Sequence, residues 1–238
     1  MNMRHHHLLL APGILVLALL APQALQAQAG GAQVPGMIGS MNVPVESMKA
    51  LRFRSVVPQQ YDFSCGSAAL ATLLSYHYDR PTVETTTFDG MFRRGDQDLI
   101  RAQGFSLLDM KNYLGAEAGL AADGFRIGLD DLEGLGVPAI AMIETRGYRH
   151  FVVIKGLREG EVLVGDPALG LKSYRRPEFE AVWVNDILFI IREEVERARA
   201  NFNAPQTWAA ITRAPVEDGV VRRDLASFTL NLPRAREW

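Results

Sequence analysis

The chain of 238 residues contains one cysteine, Cys65, so it has no internal disulfide and its stability has to come from a core. Histidine is almost as scarce. Of five, three form the run His5, His6 and His7, which leaves His77 and His150 for the rest of the chain. One thiol and two separated imidazoles do not make a metal-ligand set, so no metal is expected. No glycine-rich phosphate loop occurs either. Charge of one sign is also lacking: 25 Lys and Arg stand against 27 Asp and Glu, which excludes a basic nucleic-acid surface. Beyond the first two dozen residues, no run is apolar enough to cross a bilayer.

What the amino terminus does have is the pattern of a secretory signal. MNMRHHHLLLAPGILVLALLAPQALQAQAG opens with Arg4, continues with apolar residues from Leu8 to about Leu20, and carries the small-residue A-x-A pattern at Ala27 and Ala29. Pro12 and Pro22 bound a hydrophobic stretch shorter than the roughly 20 residues a spanning helix needs. The expectation is cleavage near Ala29, a periplasmic location, and no stable membrane insertion once the signal is removed. Subtracting 29 residues from 238 leaves 209, enough for one domain of ordinary size, and losing Arg4 takes the net charge from −2 to about −3.

A lone thiol in an oxidising compartment is a liability unless it is buried or used. Cys65 is flanked by Ser64, Gly66 and Ser67, and the segment CGSAALATLLSYHY places Ala69, Leu70, Leu73, Leu74 and Tyr76 at the spacing of a helix buried on one face. Cys65 then falls in the first turn, where free N–H groups and the helix dipole favour a thiolate. Inert burial is the other reading of an isolated cysteine.

A nucleophilic thiol needs a base. His77 lies twelve residues further along the same helix, about 18 Å away, and reads as a surface or helix-end residue. His150 heads HFVVIKGL after a turn at TRGYR, so it stands at the start of a strand. Sixteen residues later comes Asp166, followed by Pro167. The intervening LREGE reads as a hairpin turn that brings the carboxylate back beside His150, where it could accept the imidazole N–H and orient the ring. A histidine at a strand start and an Asp-Pro turn also occur without any catalytic role.

Taken together, PQQYDFSCGSAAL, YRHFVVIKG and VGDPALG resemble the C39 family of papain-like cysteine peptidases over residues 55–192. The resemblance implies that Cys65 is the nucleophile, His150 the general base and acid, and Asp166 the orienting carboxylate. Gln59, six residues before Cys65, takes the place of the oxyanion-hole glutamine in preference to Gln60. Ser64 stands where the family commonly has Asp. The free-standing form is similar to the C39-like protein of bacterial functional-amyloid secretion systems. Implied with this are a polypeptide substrate, such as a component of a secretion system or of an amyloid, and hydrolysis without a metal or organic cofactor. A catalytically silent domain that binds a secretion substrate, or a thiol acyl-transferase on the same scaffold, remains an alternative.

The remaining pattern fits an α+β papain-like fold, with N-terminal helices packed on a C-terminal antiparallel sheet. SLLDMKNYLGAEAG predicts a helix capped by Ser106, and DDLEGLG a short helix ended by Gly136. VPAIAMIE, HFVVIKGL, EVLVGDP, GLKSYRR and DILFIIRE predict five strands. Residues 79–105 read either as a helix and loop along a groove wall or as a solvated connection. The domain organisation expected is a signal (1–29), a lead (30–50) that is flexible at first and ordered later, the C39-like domain (51–192) and an extension (193–238). That extension carries the apolar anchors Trp208, Phe228 and Trp238, to pack on the domain or meet a partner.

Overall fold

The computed structural model describes residues 31–36, 39–44 and 46–211, with side chains from residue 46 onward. The expected signal peptide, Gly30, Phe228 and Trp238 lie outside the described residues. Gly31–Gly36 (β1) and Gly39–Pro44 (β2) pair antiparallel, Gly31 opposite Pro44 and Gly36 opposite Gly39, so the lead contains a hairpin. A second unit begins at Ser47.

Its first helix, Met48–Phe53 (α1), is capped by Ser47, whose Oγ accepts from Ala50 N at 3.0 Å. Helix α2 spans Cys65–His77 and starts at the cysteine itself. It differs from the one-sided helix predicted from spacing, because eleven of its thirteen residues are buried. The reason is the run of small side chains from Gly66 to Ala69, which lets neighbours approach from several sides: a Cβ on Gly66 would stand 3.0 Å from both Met110 Cε and Phe105 Cβ. Glu84–Arg94 (α3) and Gln97–Gln103 (α4) fill the polar stretch that could have been a solvated connection. Leu107–Tyr113 (α5) has the expected cap, with Ser106 Oγ accepting from Asp109 N at 3.2 Å and Ser106 N donating to the Asp109 carboxylate at 2.8 Å. The chain then loosens into a π turn over Leu114–Ala118.

Six strands follow: Ala122–Phe125 (β3), Ala139–Thr145 (β4), Tyr148–Arg158 (β5), Glu161–Asp166 (β6), Gly170–Arg175 (β7) and Trp183–Ile191 (β8). They form one antiparallel sheet in the order β3-β8-β4-β5-β6-β7. All five predicted strands are present; β3 is too short to have shown a period. Leu129–Leu135 (α6) ends at Gly136 with φ of 65°, as expected, and Arg176–Val182 (α7) carries the chain from β7 to the interior strand β8. Two-residue turns close the hairpins that matter for the site. Arg146 and Gly147 have φ of 53° and 79°, and Glu159 and Gly160 have 51° and 75°, the doubly left-handed geometry that matches strand twist.

Helix α2 packs between β5, α3 and a helix of the extension, and Leu70, Leu73 and Leu74 join Val152, Val153 and Ile154 of β5 in the main core. Each such side chain contributes about 1.5–3 kcal/mol by leaving water. Val195–Asn201 (α8) and Pro205–Ala209 (α9), the described part of the extension, also pack on the domain. Ala198 and Phe202 enter the main core, and Trp208 and Ile211 cover a smaller cluster of Val56, Leu163 and Leu171.

Candidate active site

Strand β5 supplies His150 and strand β6 supplies Asp166, and the hairpin between them sets their register, with Val153 opposite Gly165 and Ile154 opposite Val164. His150 Nε2 lies 3.0 Å from Asp166 Oδ2, and both residues are buried, at 6% and 1% exposure. The other carboxylate oxygen, Oδ1, accepts from Ala168 N at 2.8 Å and Leu169 N at 3.2 Å. A carboxylate only accepts, so His150 Nε2 carries the proton of this bond, and in the neutral ring the lone pair is on Nδ1. Nδ1 is buried without a hydrogen-bond partner. The turn that holds this carboxylate ends at Gly170, with φ of 83°, where a Cβ would stand 2.7 Å from Arg52 O.

Cys65 sits at the first position of α2 and is 7% exposed. Burial pushes its thiol pKa up, which reverses the expectation that the helix start alone favours a thiolate. The backbone N–H groups of Phe151 and Gly66 pull the other way, and the charge of Asp166 adds to the rise. Through these influences the sulfur is coupled electrostatically to Phe151, next to His150, and to Asp166.

Gln59 precedes the helix on a loop tied to the same corner. Its N–H donates to Pro167 O at 3.0 Å, one residue past Asp166, and its Nε2 donates to Tyr61 O at 3.1 Å. Because an amide nitrogen has two protons, that bond fixes the side chain and leaves a second donor. Gln60 is exposed, and its N–H turns away to Glu84 Oε1 at 3.3 Å. Tyr148 stacks on the His150 ring at 5.6 Å and donates its hydroxyl to Asp62 O at 2.6 Å, joining the β4–β5 hairpin to the loop before Cys65. Its neighbour Arg149 is taken up by Glu144 at 2.6 Å. Beside the loop, Tyr61, Phe63, Phe88 and Phe105 form an aromatic wall with centroids 5.3–5.9 Å apart, and Tyr61 is 53% exposed.

The other histidine corrects a sequence reading. His77 ends α2, but it is 1% exposed rather than on the surface, with Nε2 3.1 Å from Lys155 Nζ. Burial holds the His77 pKa well below the usual imidazole range and brings Lys155 down to about 7. Sequence reasoning missed Lys155, although a lone lysine inside FVVIKGL was the available signal. It also missed Glu84, for which an acidic residue at the start of a charged segment gave none. Among the described residues no group of acidic, histidine or cysteine side chains is arranged to hold a metal, and no helix is long and apolar enough to cross a membrane.

A helix beginning at a cysteine, packed on an antiparallel sheet whose strands present a hydrogen-bonded His–Asp pair, defines the class of α+β, papain-like cysteine peptidases. Within that class the chain belongs to the peptidase C39 family, whose profile matches residues 54–195. It is 40% identical over 210 residues to the probable functional amyloid protease FapD of Pseudomonas aeruginosa, covering 86% of this chain and 92% of that protein. It is 39% identical over 199 residues to the probable functional amyloid protease FapD of Pseudomonas fluorescens, covering 83% and 88%. The crystal structure of the peptidase domain of Streptococcus ComA, a bi-functional ABC transporter, is 18% identical with a TM-score of 0.49, covering 58% of this chain and 96% of that one.

Proposed function

We propose that this cysteine peptidase is an exported, periplasmic endopeptidase that cleaves a component of a functional-amyloid secretion system, with Cys65, His150, Asp166 and Gln59 as its working residues. The observation that carries the reading is the free Nδ1 of His150, left unpartnered because Nε2 is committed to Asp166. In this mechanism Nδ1 takes the Cys65 proton as the sulfur attacks the scissile carbonyl, in keeping with a thiol whose pKa burial has raised. The second Gln59 amide proton and the Cys65 N–H meet the oxyanion. The imidazolium then protonates the leaving amine. Water, giving its proton back to Nδ1, hydrolyses the thioester and restores the thiol. The aromatic wall beside the loop, with Tyr61 exposed and Phe63 and Phe88 half-buried, offers an apolar surface to the polypeptide. The substrate class rests on the names of the two Pseudomonas relatives, and export on the pattern of residues 1–29.

The test is the processing of co-secreted amyloid-system proteins in cells making wild type or Cys65→Ser. Accumulation of unprocessed protein in the variant supports the peptidase, and unchanged processing favours a domain that only binds. On purified protein, iodoacetamide should label Cys65 more slowly in His150→Ala than in wild type.

A further inference from the structure

The first residue of α3 reaches back to the loop that carries Gln59 and to the helix that starts at Cys65. Glu84 is 2% exposed, and its Oε1 accepts from Gln60 N at 3.3 Å and lies 3.3 Å from Ser67 Oγ. Ser67 belongs to the first turn of the Cys65 helix, and Gln60 adjoins Gln59. One oxygen from a third element therefore links the loop that carries one oxyanion donor to the helix start that carries the other. Ser67 has a single hydroxyl proton and a nearer acceptor, Ser64 O at 2.8 Å, so the donor that Oε1 holds is the Gln60 N–H, with Ser67 Oγ packed against it. Thr87 locks the base of this link, its Oγ1 lying 2.9 Å from Ser67 O and 2.8 Å from Glu84 O. The second carboxylate oxygen, Oε2, is buried with no hydrogen-bond partner, which is a costly arrangement for a residue whose task is stability alone.

We infer that Glu84 is a positioning residue for the oxyanion hole: by holding the Gln60 N–H against the first turn of α2, it fixes the separation of the Gln59 amide from the Cys65 N–H. This rests on the reading of Gln59 and Cys65 as the two donors. Gln59 has a further tether on its other side, to Pro167 O, and Tyr61 is bonded to Ser64 at the helix cap, so releasing Glu84 frees Gln60 between these two anchors and lets the Gln59 amide shift against the helix start. A shift of this kind is felt only where an oxyanion forms. Because Oε1 is the atom in use, an amide at position 84 keeps the same acceptor.

Two reagents separate the effects. p-Nitrophenyl acetate acylates Cys65 through a tetrahedral oxyanion and releases p-nitrophenolate, whereas iodoacetamide alkylates the sulfur by displacing iodide and forms no oxyanion. Glu84→Ala should lower the ratio of acylation to alkylation rates by about 10-fold or more. Glu84→Gln should stay close to wild type, and Gln59→Ala/Glu84→Ala should fall no further than Gln59→Ala. Equal slowing of both reagents by Glu84→Ala, a Gln variant as impaired as the Ala variant, additive losses, or an unaffected Gln59→Ala would each overturn the proposal. Should Glu84→Ala fail to fold, Glu84→Asp, one methylene shorter, carries the test: a lowered ratio supports it and an unchanged ratio overturns it. The peptidase reading fails separately, through indifference of alkylation to His150→Ala, and the ratio stays readable in that case.

Discussion

His150 donates from Nε2 to Asp166 across 3.0 Å, while its other ring nitrogen, Nδ1, is buried and without a partner. The direction of this bond is set by the turn after β6. Two backbone N–H groups claim Asp166 Oδ1, so only Oδ2 can face the imidazole.

Asp166→Asn should therefore be far worse than a loss of charge. The two N–H donors keep the amide oxygen on their side, which turns the NH2 group toward Nε2 and forces the proton of the ring onto Nδ1. With the base capped, acylation by p-nitrophenyl acetate should fall by about 10³- to 10⁴-fold. Nitrogen chemical shifts of His150 report the tautomer directly, and an unchanged Nε2–H form in the variant would refute the argument.

The thiol should titrate late. Burial raises the Cys65 pKa, and the N–H groups of Phe151 and Gly66 only partly offset it. Alkylation by iodoacetamide should keep accelerating as pH rises through the ordinary thiol range near 8.5. A profile already flat at pH 7 would instead indicate a thiolate formed in the resting protein.

Lys155 should make stability depend on pH. Folded, it releases its proton near pH 7; unfolded, near 10.4. Between these values the unfolded chain binds one more proton, so its share of stability rises with pH, by about 1.4 kcal/mol per unit at full effect. Urea midpoints measured from about pH 7 to 8.5 should climb in wild type and lose most of that slope in Lys155→Met. Below about pH 6.5 protonation of His77, whose folded pKa is also depressed, continues the decline on acidification.

The extension should be sensitive to one amide. Asn203, at φ of 57°, accepts from Leu157 N at 2.8 Å and donates to Leu157 O at 2.9 Å, standing in for a strand neighbour beside the irregularity in β5. Asn203→Asp sets a second oxygen against the Leu157 carbonyl and should cost about 1–3 kcal/mol at pH 7. The deficit should shrink below about pH 4, where the acid becomes a donor again. Thermal melts at the two pH values check both the size and the recovery.

Much of the site was legible because its signals are local. Cys65 opens a helix whose apolar spacing is visible, Ser106 caps α5 as its sequence predicts, and the Arg-Gly and Glu-Gly pairs turn the two hairpins around β5. The strand pattern returned Asp166 to His150 through a single short turn. Less legible were partners separated by long stretches of chain. Lys155 meets His77 across 78 residues, and Glu84 meets Gln60 across 24, and neither contact leaves a periodic trace. Strand β8 comes last of the six along the chain and yet lies inside the sheet, between β3 and β4.

The order of chemistry along the chain, with a thiol at a helix start, an imidazole on a strand and a carboxylate after the next turn, was determined by sequence alone, since side-chain type and hydrogen-bonded turns act over a few residues. Tertiary structure alone decided which imidazole nitrogen is free, how deeply the thiol is buried and which distant carboxylate steadies the loop before it. Those depend on what packs against each group, and solvent exclusion is a property of the assembled core rather than of any segment.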